Sequence, residues 1–205
     1  MGDILSLFVE SIFVENMIFA YFLGMCPFLA ISKTVKTSVG FGAAICFVLV
    51  VTLPINYLLE EYVLKPGALS WLGEEYAEID LNFLGFIFFI AVIASVVQMV
   101  EMVIEKYAPA LHHTLGIFLP LIAVNCAIFA GSLFMQERNF PHVGYAAVYA
   151  LGSGLGWFFA IVGIAAIREK LSYSNVPAPL RGLGITFITV GLMAIGFMCF
   201  SGLKI

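Results

Sequence analysis

The sequence predicts an all-α integral membrane fold: six transmembrane helices arranged as two inverted three-helix repeats, with helices 1 and 4 broken. Three observations lead there. Of 205 residues, 62% are hydrophobic and only 11% charged, with a mean hydropathy of +1.09, far too little polar surface for a water-soluble domain. Six apolar runs reach the ~20 residues a bilayer crossing needs. Two of those runs, one in each half of the chain, carry a cysteine beside helix-breaking residues: Phe22-Leu-Gly-Met-Cys26-Pro27 and Pro120-Leu-Ile-Ala-Val-Asn-Cys126.

The six runs are Ile4–Ile31, Val39–Leu59, Leu81–Val103, Leu115–Met135, Val143–Ile167 and Leu183–Leu203. Apolar period cannot separate helix from strand in such runs, but their length favours helix, and the short alternating segments of a membrane barrel are absent. The whole of 1–205 reads as one membrane domain, with repeats of about 1–103 and 104–205. Three spans per repeat would turn the second copy upside down. The acidic start, Met1-Gly2-Asp3, is unlike the basic start of a signal peptide. It matches a myristoylation pattern, but an acyl anchor would add nothing to a chain that already spans the bilayer.

The first run is too long for one simple span and holds Glu10 and Glu15. Pro27 removes a backbone donor, and it pushes Cys26 away from helical dihedrals, so a break is expected at Cys26. In the fourth run Gly116, Pro120 and Gly131 surround Asn125-Cys126. Broken backbone is tolerated in a membrane only inside protein or beside a cavity, so both cysteines are expected to be shielded from lipid. Paired interrupted helices in inverted halves point to a site near the bilayer midplane.

Lys and Arg set the orientation. Placing Lys33, Lys36, Lys106, Arg168, Lys170 and Arg181 inside leaves Lys65, Arg138 and Lys204 outside, so both termini are expected on the periplasmic side. The outer loop 60–80 carries six acids and one lysine, with Pro66, Gly67 and Trp71 marking an irregular interfacial segment.

Cysteine is a small hydrophobe, and packing accounts for Cys46 and Cys199. For Cys26 and Cys126, packing and chemistry both stand. A disulfide at mid-membrane is out of reach of an oxidising compartment. An iron–sulfur cluster needs four thiolates and this chain offers two in matched positions, so a metal reading requires a second chain. Without redox chemistry, the chain reads as a small inverted-repeat ion transporter with its cysteines as packing. Glu101, followed one helical turn later by Glu105, and Glu15 are interfacial charges or marks of a cation path, since acids at membrane depth are costly. His112, His113 and His142 lack ligand spacing. Gly152-Ser-Gly-Leu-Gly156 follows no strand, so it reads as close helix packing and not a nucleotide loop.

Several runs together resemble a known family: Val14-Glu-Asn-Met17, Phe22-Leu-Gly-Met-Cys26, Leu115-Gly-Ile-Phe-Leu-Pro-Leu121, Val124-Asn-Cys-Ala-Ile-Phe129, Gly152-Ser-Gly-Leu-Gly-Trp157, Ile167-Arg-Glu-Lys170, Val176-Pro177 and Leu180-Arg-Gly-Leu-Gly-Ile-Thr-Phe-Ile-Thr189. Over nearly its whole length the chain resembles the E-subunit family of the bacterial sodium-translocating NADH:quinone oxidoreductases. The resemblance implies an inner-membrane subunit paired with a homologous D subunit of opposite orientation. It further implies that Cys26 and Cys126, with two cysteines of that partner, hold a 2Fe-2S iron–sulfur cluster. The complex would carry electrons from NADH through FAD and FMN to quinone and pump Na+ outward. NADH, flavins and quinone would bind other subunits, and no nucleic acid is involved. Pro27 is closer to the A subunit of the sister Rnf complex, which works with ferredoxin, whereas Trp157 and Arg181-Gly-Leu-Gly favour the sodium pump.

Overall fold

In the computed structural model, residues 2–65, 84–107, 109 and 120–202 are described. Among them every regular element is helical. Helix α1 (Gly2–Val9) widens into a π-helical stretch, Glu10–Val14, and stops. After an irregular segment come α2 (Met25–Ile31), α3 (Val35–Leu59, continued by a wide turn Glu60–Leu64) and α4 (Gly85–Tyr107). The short α5 (Pro120–Ala123) is separated from α6 (Cys126–Arg138) by Val124 and Asn125. The chain continues through α7 (Val143–Leu171) and α8 (Leu183–Met198), with a 3₁₀ turn Cys199–Gly202.

Four segments are long and apolar enough to cross a bilayer: Val35–Leu64, Gly85–Tyr107, Pro120–Arg138 and Val143–Leu171. This is a multi-pass membrane architecture. The first and last apolar runs form the shorter helices Ile4–Val14 and Leu183–Met198. At about 1.5 Å per residue neither alone matches a hydrocarbon core ~30 Å thick. Most of the expected loop 60–80, together with Gly116, His112, His113 and Lys204, lies outside the described residues.

The centre is an antiparallel pair, α3 against α7. Val35 faces Glu169 at one end, Phe41 packs on Trp157, and Cys46 lies on Gly154. The glycine run of α7 makes this closeness possible. A β-carbon at Gly154 would sit 2.8 Å from Cys46 Sγ, and one at Gly156 would sit 2.9 Å from the Ile12 carbonyl oxygen. The run therefore packs α7 between α1 and α3, as its small residues predict. Helix α6 joins the other end of α3, where Asn56 Nδ2 donates to Ser132 Oγ at 2.7 Å. Tyr57 Oη donates to the Phe140 carbonyl at 2.9 Å.

Candidate metal and electron-transfer site

Both expected helix breaks are present, and side-chain amides organise them. At the first, the chain leaves helix at Glu15 and re-enters at Met25. Asn16 is buried there and replaces the lost backbone pairing from both ends. Its Nδ2 donates to the Ile12 and Gly156 carbonyls at 3.1 and 2.9 Å, and its Oδ1 accepts from the Ile18 and Phe19 amides at 3.0 and 3.3 Å. The break thus lies ahead of Cys26, not at it. Pro27 is the third residue of α2, where a missing N–H is harmless because first-turn amides have no partner within the helix. The strain sits upstream, where Phe22 and Gly24 both have positive φ (56° and 78°). A bulky residue adopts that region only under constraint.

At the second break Asn125 is the N-cap of α6, its Oδ1 accepting from the Ala127 amide at 3.0 Å. Gly24 is the N-cap of α2. These two caps touch: a β-carbon on Gly24 would lie 2.7 Å from Asn125 Oδ1, 2.8 Å from Trp157 Nε1 and 3.1 Å from the Ala127 β-carbon. The starts of two half-helices therefore abut, with Cys26 and Cys126 each in the first turn beyond its cap.

The half-helices diverge from this point. Helix α2 ends beside the C-terminal part of α7, where Arg168 Nη1 donates to the Leu29 carbonyl at 2.9 Å and to Ser32 Oγ at 2.6 Å. Helix α6 ends beside the N-terminal part of α7, where the Arg138 guanidinium stacks on Tyr149 at 5.3 Å. Trp157, the middle residue of Val143–Leu171, marks the meeting point, about 21 Å of helix from either end. It is fully buried between Phe28 and Phe41, with ring centroids at 6.4 and 6.0 Å.

Both thiols are exposed in this chain, contrary to the expected shielding. Their surroundings are apolar: Tyr21, Phe22 and Val124 are also exposed, and a cavity of about 260 Å³ lined by Ile90, Ile93 and Phe129 opens beside Cys126. One chain does not bury its own cysteines, because each break is closed on the side of α7 and open on the other. Among the described residues no three His, Cys, Asp or Glu side chains come together.

The site nonetheless suits a thiolate-held metal group. Each half-helix opens on a cysteine-bearing first turn, where backbone N–H groups have no carbonyl partner within the helix. Two buried donors, Asn125 Nδ2 and Trp157 Nε1, have no hydrogen-bond partner among the described residues. Cys46 is half-buried against Gly154, and Cys199 follows α8 at the helix end whose Phe197 and Phe200 pack on Phe13 and Phe19 beside the first break.

A family model described as "Rnf-Nqr subunit, membrane protein" matches residues 4–204. The chain belongs to this family. Among its relatives is a protein of Psychrobacter cryohalolentis, 56% identical over 205 residues covering all of both chains, and named as the E subunit of a Na(+)-translocating NADH-quinone reductase. Proteins of the same name from Pseudomonas aeruginosa and Azotobacter vinelandii are 55% and 56% identical, again over both whole chains.

Within this Rnf-Nqr architecture the other predicted site residues lie apart from the cysteines. Glu15, at the first break, is ion-paired to Arg138 and is largely buried. Glu101 is half-buried on α4, one turn before the exposed Glu105. His142 caps the start of α7. Sequence reasoning marked Gly24 only as a helix breaker and missed the roles of Asn16 and Arg138. For Asn16 the only available signal was its place inside Val14-Glu-Asn-Met17, because its main partner, Gly156, is remote in sequence.

Proposed function

We propose that the chain is the E-type component of a Na+-translocating NADH:quinone oxidoreductase and relays electrons through an iron–sulfur cluster shared with a homologous D subunit. The observation that carries this is the abutment of Gly24 on Asn125, which brings Cys26 and Cys126 into the first turns of two opposed half-helices. Cys26 and Cys126 would hold one side of a 2Fe-2S cluster, and two thiolates of the partner the other. When bound, the cluster supplies one-electron transfer inside the membrane.

The chain's own residues prepare the place. An isolated thiolate in an apolar setting is costly, and the positive charge of a bound metal group would offset that cost. Asn16 and Asn125 fix the two breaks so that the cysteine-bearing turns keep their separation. Trp157 and its aromatic neighbours exclude water from the α7 side. Exposure of both thiols fits a site completed by another chain, and that chain would supply the shielding expected of broken membrane helices. In this reading the protein has six spans as two inverted repeats, lies in the bacterial inner membrane and has periplasmic termini. NADH, FAD, FMN and quinone are bound by other subunits.

The names of the relatives favour the sodium pump over an Rnf-type subunit working with ferredoxin. For the cation, Glu101 is the better candidate, since Glu15 already has Arg138 as its counter-ion.

The test uses the assembled complex. Cys26→Ser and Cys126→Ser should each remove cluster iron and its visible absorption and abolish NADH-driven quinone reduction. Cys46→Ala and Cys199→Ala should do neither. Retention of iron and absorption in Cys26→Ser would leave a transporter with packing cysteines as the standing account.

A further inference from the structure

We propose that the cavity among the C-terminal part of α7, the start of α8 and the α2–α3 turn binds the phosphate headgroup of an anionic phospholipid. It lies at the far end of α7 from the Arg138 contact, past the end of the half-helix that carries Cys26, and shares no lining residue with the cysteine site, so it goes beyond the redox role. Its volume is about 480 Å³. Three cationic side chains from three separate segments line it: Lys33, Arg168 and Arg181. Among the described residues no acid lines it. Glu169, the neighbouring carboxylate, turns to the start of α3, accepting from the Val35 amide at 3.4 Å.

Three positive charges around one concavity repel one another, so they favour an anion that neutralises them. Arg168 is held in place by Leu29 and Ser32 and forms a fixed wall, while Lys33 and Arg181 are exposed and able to reach a ligand. The location decides in favour of lipid over a dissolved anion. Ile185 lines the cavity, and from there α8 continues as an exposed apolar ridge of Phe187, Ile188, Leu192 and Ile195. A phosphate in the cavity would therefore have its acyl chains lying along α8. Basic pockets at the ends of membrane helices have this ligand chemistry.

The experiment places the assembled complex in phosphatidylcholine nanodiscs. Each carries trace phosphatidylglycerol with a photoreactive group near its headgroup, and crosslinks are mapped by peptide mass spectrometry. Crosslinks should concentrate in residues 171–190, and a matching phosphatidylcholine probe should label that segment weakly. Lys33→Gln and Arg181→Gln should each lower labelling about fivefold, and together about 30-fold. The charge-keeping Lys33→Arg and Arg181→Lys should retain it. Excess inorganic phosphate should not compete. Unchanged labelling in either glutamine variant would overturn the proposal, as would loss in the charge-keeping variants. Competition by inorganic phosphate would make this a small-anion site and overturn the lipid assignment.

Discussion

At the scale of single residues, Gly24 is decisive. Its backbone is left-handed, and any side chain there would strike Asn125 and Trp157. Gly24→Ala should therefore cost about 1–3 kcal/mol through backbone strain, with a further penalty from the clash. The two half-helix starts should be forced apart. Thermal unfolding of the purified complex should fall by several degrees with loss of cluster iron; unchanged iron and stability would contradict the close approach of the caps. Asn16 makes a different prediction. Asn16→Ala removes four hydrogen bonds at a buried break, each about 0.5–1.5 kcal/mol net, and leaves backbone groups unpaired. Thermal unfolding of the Asn16→Ala complex should fall by several degrees, and an unchanged midpoint would show that these bonds do not hold the turn.

At the scale of elements, the two broken helices are tied together by Glu15 and Arg138, one at the first break and the other closing α6. Both are largely shielded, so removing one partner strands a charge. Glu15→Gln or Arg138→Gln should each destabilise the complex by about 1–3 kcal/mol, and the double substitution by less than the sum. Additive effects in a double-mutant cycle on thermal unfolding would show that the pair is not coupled.

The elements also show what could be read from sequence. Apolar length revealed four helices of membrane-spanning length, and the glycine run of α7 revealed its tight packing, because both are local properties. The breaks were legible from glycine, proline and the cysteines. The first was misplaced because Pro27 can sit in the opening turn of a helix as well as end one. The determinants that close the breaks were hidden. Asn16 bonds to Gly156 and Gly24 rests on Asn125, and no local pattern announces a contact between remote segments. Cysteine exposure was also illegible, since it depends on which side of each break α7 covers.

At the scale of the whole molecule, the predictions concern orientation and cation flow. The excess of Lys and Arg at one set of helix ends predicts that Ser174, exposed after α7, faces the cytoplasm. A cysteine substituted for Ser174 should react with a membrane-impermeant maleimide only in inverted vesicles; labelling in intact cells would reverse the orientation. Glu101→Ala should weaken the sodium dependence of quinone reduction while iron content and assembly stay intact. An unchanged sodium titration would return Glu101 to an ordinary interfacial charge.

If Cys26 and Cys126 form half of one shared metal site, the most direct test is a structure of the assembled complex at a resolution that shows sulfur positions. Strong density should bridge the Cys26 and Cys126 sulfurs and two cysteines of the D-type partner, at the level of Trp157. Sulfurs of Cys26 and Cys126 more than about 7 Å apart, too far for a small cluster to span, or covered by lipid with no density between them, would contradict a shared cluster.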